Sequence, residues 1–403
     1  MRILIILPYG SVGGMERLAL SFYNQYKKQN YFVKAVKFIG LSNDIINFGI
    51  DEIVFSRVDY AGMTKINRII FNFKIPYKLR ILIKKHKITH SISFGDPTNF
   101  YSSITFTKEY KIGSIHALKS VEMSNNSKLS KLTKFGFDNT YKKFDKLVCI
   151  SKAIKKDLIN NLDYKSSNLK VIYNPHDITE IINRSNEALD TNENELFNND
   201  VILFLGRLTT QKSPWHLIKS FSLVLNEKPD TKLIFIGDGD KNVMNYLTVL
   251  IDKLKINNNV VFLGRKSNPY KYLVKSNLLA LSSHYEGTPN VIVEAICLNT
   301  PVVSSNCTNG IIELMTDQKN IEVENINVET ESGIITPNFF KGVLGIPKED
   351  SITEEEKLFA KALKRVLEDN KFKINLEKNR DNLLKKFDLE NVANQYLLNE
   401  ITD

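Results

Sequence analysis

Cysteine is scarce. Cys149, Cys297 and Cys307 are the three in 403 residues, an odd number without C-x-x-C spacing, which argues against a disulfide framework and a zinc site and for a reducing compartment. Long apolar runs are missing too: none approaches the ~18 residues that a membrane-spanning helix needs. Met1-Arg2 and the brief apolar run ending at Pro8 are too short for a secretory signal, so a cytoplasmic protein is predicted. The glycines of Gly10-Ser11-Val12-Gly13-Gly14 are not spaced as GxGxxG, and the dinucleotide fingerprint is absent. Acidic residues are absent from Thr64 to His90.

The chain is too long for one ordinary core, and 42% hydrophobic residues is normal for a globular protein, so two domains are expected. A formal charge of +10 suits nucleic acid, an anionic membrane or acidic small molecules, and the placement of the charge has to choose among them.

Strand and helix alternate in both halves, which predicts doubly wound α/β domains. In the first half, Ile3 to Leu7 is an apolar strand delivering the glycine loop to a helix through Leu18, Leu20 and Phe22. Ile112 to Ile115 is a strand with His116 at its C-terminal end, where open parallel sheets place functional groups. Leu147 to Ile150 leads to a helix capped at Ser151, and Val171 to Pro175 reads as a last short strand. The polar stretch 186–200 reads as a linker or surface excursion. After it, the strand Val201 to Leu205 opens into Gly206-Arg207-Leu208-Thr209-Thr210-Gln211-Lys212. One guanidinium fork and one ammonium at a glycine turn suit a diphosphate. Leu233 to Ile236 ends in Gly237-Asp238-Gly239-Asp240; the flanking glycines favour a tight turn over a metal-binding Asp-x-Asp. Asn320 to Gly345 reads as irregular with a short terminal strand after Gly333, and Glu354 to Leu367 and Asn382 to Ile401 as helices.

The most informative stretch runs from Ser282 to Ser305. Leu278 to Leu281 is a buried strand, Gly287 and Pro289 make a turn, and Asn290 to Cys297 is a helix. Its start presents unpaired N–H groups and partial positive charge, a site for phosphate or developing negative charge. Glu286 in the turn and Glu294 in the helix flank that volume. A polyanion has no need of two carboxylates, so they suit hydroxyl groups on either side of it, a ribose and a sugar.

This Glu-x7-Glu segment resembles the signature of glycosyltransferase family 4, retaining enzymes of the GT-B fold. Gly206-Arg207-x4-Lys212 resembles the diphosphate-binding segment of that family, and Gly13-Gly14-Met15-Glu16-Arg17 resembles its Gly-Gly-x-Glu-Arg loop. One departure is Asn299, where the family has Gly before the x-Pro-Val-Val strand; Asn is the usual substitute at a left-handed helix end. The likeness spans nearly the whole chain and implies two Rossmann-like domains facing a cleft: 1–180 binding the acceptor, with the last helix (386–403) packing back on it, and 181–385 binding the nucleotide sugar. It implies transfer with retention from a nucleotide sugar, UDP-linked, to a lipid-linked glycan in polysaccharide, O-antigen or capsule assembly. Glu294 would hold the ribose and Glu286 the sugar, and His116 a sugar hydroxyl or the oxocarbenium-like centre. Arg207 and Lys212 would hold the diphosphate, and Gly13, Gly14, Gly287, Thr288, Asn290 and Val291 would line the substrate. Neither a cofactor nor a metal is implied. A degenerate GT-B assembly partner, a nucleotide-sugar epimerase and a phosphorylase share the fold; the last needs a cofactor lysine motif that is absent here.

Between Thr64 and His90 stand Lys65, Arg68, Lys74, Lys78, Arg80, Lys84, Lys85 and Lys87, interleaved with Ile69, Ile70, Phe71, Phe73, Tyr77, Leu79, Ile81 and Leu82, and Pro76 divides the run into two predicted helices. Such interleaving suits an anionic membrane surface, giving a protein peripheral on the inner face of the plasma membrane; an ordinary solvated helix with a core face fits as well. A second basic segment, 128–146, leans toward the membrane. No nucleic-acid motif accompanies the aromatics, so nucleic acid is not expected.

Overall fold

The computed structural model describes residues 1–10, 14–41, 44, 46–123, 128–286, 288–318, 321–342 and 344–398. The chain divides into two compact units, Met1–Pro175 with Lys386–Asp403, and His176–Lys385.

The first unit is built on seven strands, β1 (Arg2–Leu7), β2 (Phe32–Ile39), β3 (Glu52–Ser56), β4 (His90–Phe94), β5 (Tyr110–Ile115), β6 (Lys146–Cys149) and β7 (Leu169–Val171), in the order β3-β2-β1-β4-β5-β6-β7. Every ladder is parallel. Side chains alternate across a strand, so β1 feeds two cores. Ile3, Ile5 and Leu7 pack with Leu18, Phe22, Val392 and Tyr396 on one face; Leu4 and Ile6 pack with Val36, Ile75, Leu79 and Ile83 on the other. With both faces covered, the central strands read as unbroken apolar runs rather than alternating ones. The winding reverses between β1 and β4, and open parallel sheets bind ligands beyond the strand ends at such a point.

The second unit repeats this plan. Strands β8 (Val201–Leu205), β9 (Lys232–Ile236), β10 (Val260–Phe262), β11 (Leu278–Leu281), β12 (Val302–Ser305), β13 (Val328–Thr330) and β14 (Gly333–Thr336) are ordered β10-β9-β8-β11-β12-β14-β13. The reversal lies between β8 and β11. Ile202, Phe204, Leu233 and Phe235 pack against Trp215, Leu217, Phe221 and Leu247.

Several elements depart from the sequence reading. Pro76 does not divide the basic segment: one helix runs Lys65–Lys85 with Pro76 inside it. Proline removes one hydrogen bond there, but Ile75, Leu79 and Ile83 on either side are buried in one core, and packing outweighs that loss. The strand expected at Val171 to Pro175 is Leu169–Val171; Ile172 N–H still reaches the Cys149 carbonyl at 3.1 Å, after which Pro175 has no N–H to pair. The short strand after Gly333 is the last in the chain, as expected, but the sequence reading missed β13, which pairs antiparallel outside it and forms the sheet edge. Stretch 186–200 is a surface excursion tied down by Glu193, which accepts from Lys266 Nζ and Tyr272 Oη, both at 2.6 Å. The helix expected from Asn382 breaks at Lys385–Phe387; Asp388 then caps Leu389–Leu397 by accepting from Asn391 N–H at 2.8 Å. That last helix joins the first unit, where Tyr26 Oη donates to the Ala393 carbonyl at 2.9 Å and Lys146 Nζ to the Gln395 carbonyl at 2.6 Å.

Candidate active site

In the second unit the two loops that leave β8 and β11 meet at the reversal of winding. The β8 loop turns at Gly206 (φ 153°) and is fastened to the neighbouring β9 loop. Gly206 N–H donates to the Ile236 carbonyl at 3.0 Å, Leu208 N–H to the Asp238 carbonyl at 2.8 Å, and Asp240 N–H to the Leu208 carbonyl at 2.9 Å. Gly237, at φ 146°, lies so close that a Cβ there would fall 2.0 Å from the Gly206 carbonyl oxygen; only glycine fits. Asp240 caps the next helix, accepting from Asn242 N–H at 3.0 Å, while the Asp238 carboxylate lies 4.0 Å from Arg265. Of the two acidic groups of the Asp-x-Asp, Asp240 thus serves as a helix cap, while Asp238 is exposed.

Loop geometry carries Lys212 inward. Ser213 is left-handed (φ 45°) and starts the helix Pro214–Val224. Ser282 Oγ pins this corner by donating to the Lys212 and Ser213 carbonyls at 3.2 and 3.1 Å. The Lys212 ammonium then forms an ion pair with the Glu286 carboxylate, which also accepts from Ser283 Oγ at 2.7 Å. Ser283 is itself held through its carbonyl by Ser305 Oγ at 2.7 Å. Cys307 faces the same pair: burial pushes its thiol up, Glu286 pushes it further, and Lys212 opposes. Arg207, in contrast, is exposed and pairs with no described residue.

The loop rests on a buried polar chain. Glu356 accepts from Lys219 Nζ at 2.7 Å and pairs with His216 Nδ1 at 2.6 Å; His216 Nε2 lies 2.9 Å from His284 Nε2. A carboxylate at His216 Nδ1 demands the proton there, so His216 Nε2 accepts and His284 Nε2 donates, which leaves His284 Nδ1 bare. That atom is buried without a partner. Burial, and then the neighbouring His216, pull His284 down to about 4, and both rings stay neutral near pH 7. The His284 N–H meets the Gln211 carbonyl at 2.9 Å, so this cluster locks the two loops together one residue from Tyr285-Glu286.

The helix Asn290–Cys297 begins where expected, and its first turn carries Asn290 and Val291. Thr288 Oγ1, just ahead of it, is buried with no partner. Glu294 is half-buried and accepts from Tyr270 Oη at 3.4 Å. Asn299 is left-handed (φ 55°), as read from its place at a helix end. Gly287 lies outside the described residues.

In the first unit, Gly14 starts the helix Gly14–Lys28, and a Cβ on it would meet nothing within 4 Å; Gly13 lies outside the described residues. His116 follows β5. Its Nε2 sits 2.8 Å from Ser114 Oγ, which is 3.0 Å from Tyr396 Oη. Burial and nearby Lys119 depress the imidazole to about 3, so it is neutral. The structure thus brings Lys212, Ser283 and Glu286 together, sets Glu294 beside Tyr270, and seats His116 in a different unit. Ser283 sits inside the Ser282–Ser305 stretch but carried no role in the sequence reading, because only the fold turns its hydroxyl onto Glu286; Tyr270 and the His216–Glu356 support escaped it because they lie on other elements.

Among the described residues no helix is long and apolar enough to cross a membrane. The helix Lys65–Lys85 buries Ile75, Leu79 and Ile83, but Ile66, Ile69, Ile70, Phe73, Tyr77 and Ile81 stay exposed, Phe73 at 80%.

Residues 12–180 match the model of Glycosyltransferase Family 4, and 185–336 that of Glycosyl transferases group 1. An uncharacterized glycosyltransferase of Methanocaldococcus jannaschii is 31% identical over 350 residues, 82% of this chain and 84% of that one. A Campylobacter jejuni alpha-1,4-N-acetyl-D-galactosaminyltransferase, whose name specifies a diNAcBac-PP-undecaprenol-linked glycan, is 25% identical over 98% of this chain and 97% of its own. Among solved structures, Anabaena HepE in complex with UDP superposes with a TM-score of 0.73 at 19% identity, covering 98% of both chains. Two Rossmann-like sheets, the loop pair at the second reversal of winding and this relationship together place the chain in glycosyltransferase family 4, with the GT-B fold.

Proposed function

We propose that the protein moves a sugar, an N-acetylhexosamine or hexose on a UDP carrier, to a lipid-linked glycan, with retention at the anomeric carbon and without a divalent ion. The observation that carries this reading is the convergence of Lys212, Ser283 and Glu286 where β8 and β11 part, beside an exposed Arg207. As the bond from sugar to phosphate breaks, negative charge grows on the diphosphate. Arg207 and Lys212 meet that charge, Lys212 exchanging Glu286 for a phosphate oxygen, and the backbone N–H groups from Gly287 to Val291 add to it. Glu286, freed from Lys212 and oriented by Ser283, accepts from sugar hydroxyls. Glu294 accepts from the ribose, and Thr288 Oγ1 supplies a hydroxyl with no other partner. The neutral His116 acts as a hydrogen-bonding group at the sugar rather than as a cation, and Gly13 and Gly14 line the substrate. The acceptor attacks from the face the phosphate leaves, and that phosphate takes its proton.

The lipid-linked acceptor and the UDP carrier are supported by the Campylobacter relative and by the nucleotide in the HepE complex. On this reading the first unit holds the acceptor, the second holds the donor, and the Lys65–Lys85 helix lays Ile66, Ile69, Phe73 and Tyr77 on an anionic bilayer among cations worth about 1 kcal/mol each.

The test is to incubate the protein with UDP- and GDP-sugars and an undecaprenyl-diphosphate glycan, with and without EDTA. Transfer from a UDP-sugar that survives EDTA is expected, with the product's anomeric configuration matching the donor's. Arg207→Ala and Glu286→Ala should lower turnover by about 10²- to 10³-fold. Absence of transfer from every donor refutes the reading, loss with EDTA refutes metal independence, and unchanged rates in both variants refute the site.

A further inference from the structure

The first unit holds a cavity of about 460 Å³ beside the C-terminal end of β2 and along β3, lined by Lys37, Leu41, Asp44, Asn47, Glu52 and Arg57 among others. That size lies within the roughly 300–1,000 Å³ of small-ligand pockets. Lys37, only 1% exposed, sits at its base. Its three N–H donors are all committed, to Asp44 Oδ2 at 3.1 Å, to Glu52 Oε2 at 3.0 Å and to the Ile46 carbonyl. An ammonium sealed in this way has nothing left for an incoming anion. Its effect is to hold two carboxylates side by side, each with a second oxygen, Asp44 Oδ1 and Glu52 Oε1, that accepts from no described residue. The Arg57 guanidinium, exposed at the rim, brings the lining to two cations and two anions, so the cavity is polar yet close to neutral.

Gly10 lies against the same groups: a Cβ there would sit 2.2 Å from Asp44 Oδ2 and 2.6 Å from Lys37 Nζ. Ile46 N–H donates back to the Gly10 carbonyl at 3.4 Å.

We propose that this cavity is a binding site for a neutral, polyhydroxylated ring, with the free oxygens of Asp44 and Glu52 accepting from vicinal hydroxyls. Resting on the glycosyltransferase reading above, it is the subsite for a non-charged sugar of the acceptor, and Asp44 and Glu52 determine which hydroxyl pattern is accepted. The diphosphate of the acceptor is not bound here, because Lys37 is already saturated.

Saturation-transfer NMR with N-acetylgalactosamine, N-acetylglucosamine, galactose and glucose, and with inorganic pyrophosphate as the anionic probe, tests this on the full chain. The wild type should take up at least one neutral sugar and no pyrophosphate at this site. Glu52→Gln, which keeps the shape but replaces the free carboxylate oxygen, and Leu41→Trp, which fills the cavity from its edge, should each weaken binding by about tenfold or more. Circular dichroism confirms that both variants fold; if one does not, the other carries the test. Absence of sugar binding by the wild type, undiminished binding in the folded variants, or pyrophosphate binding abolished by Leu41→Trp overturns the proposal. Failure of the function reading looks different: no transfer from any nucleotide sugar, with sugar uptake by the cavity intact. Where transfer does occur, Glu52→Gln should raise the acceptor KM and leave the donor KM unchanged.

Discussion

Gly237→Ala is the substitution whose cost can be worked most directly from the structure. The new methyl carbon would lie 2.0 Å from the Gly206 carbonyl oxygen and 2.7 Å from its carbon, at φ 146°. The φ alone costs about 1–3 kcal/mol, because that region is essentially reserved for glycine. Relief of the clash requires the β8 and β9 loops to separate by more than an ångström. Such a move breaks at least one of the hydrogen bonds flanking the contact, Gly206 to Ile236 or Leu208 to Asp238, at about 1 kcal/mol each. The total is about 2–5 kcal/mol, and for a unit of this size the melting temperature falls by about 10 °C. Gly264→Ala is the control: its φ is also positive, at 65°, but nothing lies within 4 Å of the added carbon, so strain alone remains, about 1 kcal/mol and about 3 °C. Calorimetry of both variants checks the difference. Turnover adds a second reading, since a shift of about 1 Å in the loop carrying Arg207 and Lys212 should lower kcat/KM about 100-fold in Gly237→Ala and leave it near wild type in Gly264→Ala. Equal melting temperatures for the two variants would refute the idea that this loop pair is fastened by a close glycine contact.

Glu356→Ala should cost about 3–5 kcal/mol in chemical denaturation, because it strands Lys219, 2% exposed, and His216 without their carboxylate; a loss under 1 kcal/mol would contradict that. His284 and His176 are both drawn down to about 4 by burial, so between about pH 6.5 and about 4 the unfolded chain binds protons that the folded one refuses. Stability is full above about pH 6.5 and falls with acid, by about 2 kcal/mol per ring at about pH 5; a flat thermal-stability profile over that window would be the contrary result. Ile70→Glu with Phe73→Glu, at positions 44% and 80% exposed, should abolish flotation with anionic vesicles and leave the melting temperature within about 2 °C; retained flotation would place membrane contact elsewhere.

Much of the fold was legible because it rests on local patterns. Strands buried on both faces show as short apolar runs, so Ile3 to Leu7, Val201 to Leu205 and Leu278 to Leu281 declared themselves, and the glycine and proline turns marked their ends. Arg207, Lys212, Glu286 and Glu294 stood out as candidates for a related reason: a strand delivers each loop to a helix start, and charge at that spot has a limited set of uses. Tertiary structure decided what depends on residues far apart in sequence. Pro76 stays inside a helix because a core holds both of its sides. Lys212 and Glu286 pair because the winding of the sheet reverses between β8 and β11, which joins loops 74 positions apart, and no spacing rule encodes that pairing. Likewise Glu356 reaches His284 through His216 only because the helix Glu354–Glu368 packs beside the helix Pro214–Val224. Local propensity and charge set the parts and their chemical character; which charges meet, and which are left free for a substrate, follows from packing across the sheet.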